Sequence, residues 1–585
     1  MIAQENKSYL QLINTELIAY PKIDYFLCES SLANSSDIID ESKLITINFW
    51  SDNLKVQKHK KKVLELYTII IQALSKKLND IHHESHEQLY WERILGTWLW
   101  FYISNYLEKH TKLAYSFKEN PNLIALGIDP QSIKPAACSI DYLDGIRESE
   151  IYHIQQYSSI LQDFFKDNYR EVELNNAGFE SKEKVVLQRK NLKDYIINSF
   201  HRKVGRGYIS GSTILFATRF SNLNIFKLFI RSLFSITPIF KNWNKKPTIE
   251  KNAQLRNNLS FNNTQADKCD LVESLLKSLS DTLPTDFVES YADIKKITSV
   301  NIKKNLPKKI VTGVGFILDS EFAIWAASCS ERGTKIFGCQ HGGLYGDTKM
   351  IADEFFERKL SDNYITWGWG QESSLLNLPS QIFSKKRIHN RSPQKILWVM
   401  TLDSRYSYHI EEMLSGCRLK KYFKNQELLF NTLTSKVKGE LIIRKYPHDY
   451  GWKISEMWNK QSDYFNDNAS RSYHDNLKES KLVIIDHIGG TTALECAAES
   501  IPFLMISDPR DSEFRKSADD IHKKLISVGL LHLDYKSAAD YVNLISSDIS
   551  SWWLQPERQK VFNDYRDMYV KTDVKFLNIW LNFLK

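Results

Sequence analysis

The sequence predicts an α/β protein with a helix-rich N-terminal lobe and a C-terminal lobe built on a parallel sheet, and three observations carry that prediction. A chain of 585 residues exceeds what one core can organise; at about 100 to 200 residues per domain it divides into two large lobes or three smaller units. Up to about residue 300 apolar residues recur at helical spacing. From about residue 308 short apolar runs alternate with helical segments, as in a parallel sheet with crossover helices.

Lys58 to Leu78 and Glu87 to Lys109 place apolar residues three and four apart, which predicts amphipathic helices. The aromatics of the second, Trp91, Trp98, Trp100, Phe101 and Tyr106, read as core rather than as a ligand box. Tyr152 to Asp167 repeats the pattern. Asn224 to Phe240 is apolar and aromatic with Lys227 and Arg231 one turn apart, as in an interfacial helix. Pro238 and the lack of a broad cationic face favour packing inside the lobe. Trp243 to Lys268, rich in Asn, Lys and Gln, reads as a loop or linker. Strands are then expected at Lys309 to Thr312, Thr334 to Cys339 and Tyr364 to Trp367, with a helix at Ser320 to Ser330. The polar stretch Ser384 to Gln394 precedes a second series: Lys395 to Met400, Glu440 to Arg444, Leu482 to Ile485 and Phe503 to Ile506. The expected division is therefore an N-terminal lobe over 1–383, helical over about 55–300, a C-terminal lobe over 384–545, and helices over 546–585 that pack back on the first lobe.

The net charge of +8 is spread over a large surface and favours an anionic ligand only weakly. No arginine-rich arm, zinc-finger spacing or paired aromatic RNA-binding motif is present, so nucleic acid is not an expected partner. The seven cysteines are scattered and odd in number, which fits reduced thiols in a cytoplasm. The N-terminus lacks a cationic start followed by an apolar core, and no window reaches the roughly 18 apolar residues of a spanning helix. A cytoplasmic protein, peripheral to a membrane at most, is expected.

Three strand ends carry chemistry. GCQHGGLYGD, residues 338–347, sets glycines and His341 directly after a strand, where an imidazole serves as general base or anion donor. Asp347 and Glu354 are nearby carboxylates. IIRKYPHDYGW, residues 442–452, delivers Arg444, Lys445 and His448 as cationic donors for a phosphate without a metal. IDHIGGTTALE, residues 485–495, runs from a strand through Asp486, His487, Gly489 and Gly490 into a helix. Thr491 or Thr492 is positioned to cap that helix, whose free N–H groups attract an anion, and Glu495 in its first turn to accept a sugar hydroxyl. An ordinary capped turn, a satisfied loop histidine and a solvated charged surface account for the same three segments without a ligand. The Walker and G-x-G-x-x-G spacings are absent, which removes the main support for kinase and dehydrogenase readings.

Together the Q-H-G-G loop, the R-K-x-P-H turn and D-H-x-G-G-T-T-A-L-E resemble the GT-B glycosyltransferases, and within them the transferases of bacterial O-antigen and surface-polysaccharide gene clusters. The resemblance covers about residues 309–510. It implies two Rossmann-like lobes facing a cleft, with a nucleotide-sugar donor held by the C-terminal lobe as co-substrate and no other cofactor or metal. It further implies a glycan or lipid-linked glycan acceptor, His341, Asp347, Arg444 and His448 as catalytic candidates, and Lys445, Asp486, His487, Gly489, Gly490, Thr491, Thr492 and Glu495 as donor-binding candidates. Cytidylyl-sugar transferases and glycerophosphotransferases are similar, but Pro447-His448 reverses their His-Pro order and threonines replace their serines, so a CMP-linked donor is one option among several. Polyol-phosphate transfer, sugar-nucleotide 2-epimerisation and a non-catalytic role in glycan assembly are the alternatives.

Overall fold

The computed structural model describes residues 7–13, 15, 17–28, 31, 41–45, 50, 52–174, 212–239, 250–259, 270–304, 306–384, 388, 391–406, 417–450, 452, 472–488, 490–508 and 513–585. Its described strands form three sheets, all parallel. The first joins β1 (Ser8–Gln11), β2 (Tyr25–Phe26), β3 (Leu123–Gly127) and β4 (Tyr169–Glu171) in the order β2-β1-β3-β4. The second comprises β5 (Thr213–Phe216), β6 (Ile236–Pro238), β7 (Lys309–Thr312), β8 (Lys335–Cys339), β9 (Asn363–Thr366) and β10 (Leu375–Asn377), ordered β6-β5-β7-β8-β9-β10. The third comprises β11 (Lys395–Val399), β12 (Leu441–Arg444), β13 (Ser480–Ile485), β14 (Phe503–Ile506) and β15 (Leu531–His532), ordered β12-β11-β13-β14-β15.

The second and third sheets thus follow one rule. Each chain segment enters one strand in from the edge, sets its second strand outside, and then reverses across the sheet. Loops leaving the first and third strands diverge at the carboxyl edge, the usual ligand crevice of an open α/β sheet. The second and third sheets are thus two Rossmann-like units of an α/β fold.

The N-terminal 300 residues are less purely helical than their periodicity predicts. Helix Asn53–His82 contains the first expected segment, the second runs through Gln88–Trp91, a π-helical turn at Glu92–Gly96 and helix Thr97–Glu119, and Trp91, Trp98 and Trp100 are fully buried in the core they build. The first sheet and strands β5 and β6, however, carry no local signature. β3 is a five-residue run buried on both faces, without the alternation that marks a half-exposed strand, and its partner β1 lies more than a hundred residues away. The segment around residue 224 divides. Helix Asn222–Arg231 packs Ile225, Leu228 and Phe229 inward, and β6 ends on Pro238 at the sheet edge, where a missing N–H is tolerated. Within the expected linker, Ala253–Leu259 forms a helix, while 243–249 and 260–268 lie outside the described residues.

The chain's end joins both lobes. Helix Pro556–Tyr569 sets Phe562 and Tyr565 against Phe503 of β14. Helix Phe576–Leu584 crosses to the second sheet, where the Trp580 indole N–H donates to the Pro379 carbonyl at 2.8 Å and the Thr213 hydroxyl to the Leu584 carbonyl at 2.7 Å.

Candidate active site

β8 delivers the chain to the first strand end of interest. The buried Gln340 side chain fixes the loop: its carbonyl accepts from the Trp367 backbone N–H at 3.1 Å and the Trp369 indole at 2.8 Å, and its amide donates to the Gly342 carbonyl at 3.0 Å. His341 is thereby held over the first residue of a buried polar group. Its Nδ1 lies 2.9 Å from Glu357 Oε1 and 3.0 Å from the Tyr345 hydroxyl. Tyr364 donates to the other Glu357 oxygen at 2.8 Å. Burial alone drives the imidazole toward its neutral form, but the Glu357 carboxylate outweighs it and holds the His341 pKa above its ordinary value. Glu357 was invisible in the sequence because it sits on a separate helix, Ala352–Lys359, sixteen residues on.

Asp347 belongs to the seam between the lobes. It is buried, its carboxylate meets His522 Nε2 at 2.8 Å and the Tyr569 hydroxyl at 3.1 Å, and its carbonyl accepts from Arg515 N–H at 2.9 Å. Thr348 and Phe514 form an antiparallel bridge beside it. Glu354 serves the same seam through Arg515 at 2.6 Å and the Gly346 N–H at 2.9 Å.

At the carboxyl end of β13, Asp486 is buried and accepts three hydrogen bonds: from the Trp398 indole at 2.8 Å, the Tyr422 hydroxyl at 2.8 Å and the Gln426 amide at 2.9 Å. Its oxygens are occupied by protein donors, which makes it a strut for the turn. His487 lies across Gly490, where a Cβ would fall 2.7 Å from Nε2, so any larger residue there would displace the ring. Gly489 lies outside the described residues. The helix that follows, Thr491–Glu499, takes Gly490 as its N-cap with no side-chain cap bond. The expected threonine cap is not made: Thr491 is already helical and its hydroxyl is engaged elsewhere. Glu495 stands one turn further into the helix than the sequence reading placed it.

β12 ends on Arg444, with Lys445 next to it and half-buried. The Arg444 guanidinium lies 5.8 Å from the centre of the Tyr473 ring. The Tyr473 hydroxyl in turn donates to the Thr492 carbonyl at 3.4 Å, so one aromatic side chain spans from the cation to the first turn of helix Thr491–Glu499. Tyr473 carries no motif, and only the packing reveals it. His448 is exposed, beside the stacked rings of Tyr446 and Tyr450 at 6.4 and 5.9 Å.

The two lobes touch where these groups face each other. The Gly343 backbone N–H, two residues beyond His341, donates to Thr491 Oγ1 at 3.2 Å. The Q-H-G-G loop of the second sheet and the helix start of the third therefore meet at this bond, and Tyr473 links the first turn of that helix to Arg444.

The sequence matches the LIC12162 family transferase over residues 27–584. The chain belongs to this transferase family. No curated protein matches it. Among solved structures, the wall teichoic acid polymerase TagF aligns at 10% identity and a TM-score of 0.29, covering 66% of this chain and 92% of its own. The O-GlcNAc transferase of Thermobaculum terrenum aligns at 9% identity and a TM-score of 0.33, covering 89% and 98%. At those scores the two likenesses carry no part of the functional argument. In this LIC12162 family transferase, a histidine with a carboxylate partner stands two residues before the inter-lobe bond, and an arginine adjoins the helix on its other side through Tyr473.

Proposed function

We propose that this transferase moves a sugar from a nucleotide-activated donor to a hydroxyl of a bacterial surface glycan or O-antigen acceptor, on the cytoplasmic side of the membrane and without a metal. The observation that supports this reading most is the Gly343 to Thr491 hydrogen bond, because it joins the loop that carries His341 to the helix start that follows Gly490. The acceptor hydroxyl attacks the anomeric carbon and gives its proton to His341, while the bond from that carbon to the phosphate oxygen breaks. Arg444, Lys445 and the N–H groups at Gly490 and Thr491 stabilise the negative charge left on the nucleotide. His448 reaches the same phosphate from the exposed turn, and Glu495 accepts from the ribose. Asp347 and Asp486 set the angle of the lobes and the shape of the turn.

The test offers purified enzyme CMP-, UDP-, GDP- and dTDP-sugars with a glycan acceptor and follows free nucleotide and acceptor mass together. Stoichiometric nucleotide release with addition of one sugar supports the reading. Conversion of a donor without an acceptor identifies an epimerase, and addition of a polyol phosphate to the acceptor identifies the phosphate-transfer chemistry; either result overturns it.

A further inference from the structure

Helix Asn222–Arg231 is apolar on two sides. Ile225, Leu228 and Phe229 are buried against the lobe, and the opposite side carries Leu223, Phe226 and Ile230 to the surface. The turn that follows extends this surface with Leu233, 84% exposed, and Phe234, 53% exposed. Both residues hold left-handed backbone, with φ of 52° and 68°, a conformation bulky side chains rarely adopt. The turn is nevertheless well defined: Phe234 N–H donates to the Phe229 carbonyl at 2.9 Å, and the Ser232 hydroxyl accepts from Ile236 N–H at 3.0 Å. Side chains this exposed add little to the core, so their apolar character needs another explanation.

Charge narrows the occupant. Lys227 and Arg231 stand exposed on the helix, and from residue 195 to 249 the sequence contains nine Lys or Arg and no Asp or Glu. By composition the wider segment is thus cationic beyond the helix's own two charges. Apolar side chains flanked by cations, with no acid among them, match the interface of an anionic bilayer, which offers acyl chains below and negative headgroups above. A nucleic acid leaves the five apolar side chains without a complement. Among the described residues no helix is long and apolar enough to cross a membrane, so contact through this surface lies in the plane of the interface.

We propose that Leu223, Phe226, Ile230, Leu233 and Phe234, with Lys227 and Arg231, dock this protein onto anionic phospholipid membranes. The helix leaves the carboxyl end of β5 and runs back to the amino edge of the sheet, where the Ser235 carbonyl beside the exposed turn accepts from Thr213 N–H at 3.1 Å, so the docked surface lies along the flank of the lobe.

The test is sedimentation of the full chain with vesicles of phosphatidylcholine alone or with about one third phosphatidylglycerol, at low and at physiological salt, with no donor present. Binding is expected to the anionic vesicles only and to weaken as salt rises. Leu233→Ser/Phe234→Ser is expected to lower the partition coefficient at least about tenfold, and Lys227→Glu several-fold. Both variants should keep wild-type turnover on a water-soluble acceptor, which separates loss of docking from loss of the transfer reaction. Absence of binding to anionic vesicles, equal binding to neutral ones, or undiminished binding of the double variant overturns the proposal. So does binding to RNA, or self-association through this surface, without vesicle binding.

Discussion

Two buried carboxylates near strand ends, Asp486 and Glu357, look alike by position and do different work. Asp486 accepts hydrogen bonds from an indole, a phenol and an amide, which hold its oxygens in place, while its neighbour His487 stays 3.6 Å away. Glu357 has two phenols and a histidine, and the histidine lets a proton change hands. The same desolvated acid fixes geometry in the third sheet and tunes a base in the second. A histidine in hydrogen-bond contact, at 2.9 Å from Glu357 against 3.6 Å from Asp486, rather than the acid itself, marks the chemical site.

The largest effect expected from this contrast is on the base. His341→Ala should reduce turnover by about 10²- to 10⁴-fold, the usual contribution of a positioned general base, with the melting temperature of the variant as a control. Asp486→Ala should act on folding instead. It strands three buried donors and should cost about 3 kcal/mol or more, read from the denaturant midpoint, while Asp486→Asn, which keeps an acceptor, should cost less. Arg444→Ala should lower turnover roughly tenfold or more, the value of one charge-assisted hydrogen bond to phosphate. If Arg444→Ala and His448→Ala both turn over at the wild-type rate, the cationic strand end is not part of the reaction.

The subtlest expectation concerns pH. Because Glu357 raises His341, the rate should climb with pH along a limb whose midpoint lies above the ordinary histidine value. The ion pair adds stability that is fully present below that ordinary value and is lost as pH rises through the raised one. Glu357→Gln removes the raising influence and leaves burial, so the limb should move to lower pH and this part of the pH-dependent stability should vanish. A limb that stays in place means Glu357 does not set the base.

Much of this was legible in the sequence where the signal was local. The strand series from Lys309 to Ile506 matches to within a residue or two because each run is short, apolar and bounded by polar turns. The Gly-Gly-Thr-Thr turn announced a helix start, since a glycine pair before a run of good helix formers has few other uses. What stayed hidden depends on partners far along the chain. The first sheet pairs residues 8 and 123, and no local pattern encodes that. Glu357 and Tyr473 matter through the groups they touch, so their roles appeared only with the packing. The threonine cap failed for a related reason: Thr491 had a better use across the crevice, with Gly343.

The central claim is that donors from both lobes converge on one nucleotide leaving group, and thermal shift with CMP, CDP, UDP, GDP and dTDP tests it most directly. One nucleotide should raise the melting temperature of the wild type, by the equivalent of about 2.7 kcal/mol at 100 times its dissociation constant, and that shift should shrink sharply in Arg444→Ala. No shift with any nucleotide, or an equal shift in Arg444→Ala, would contradict the account.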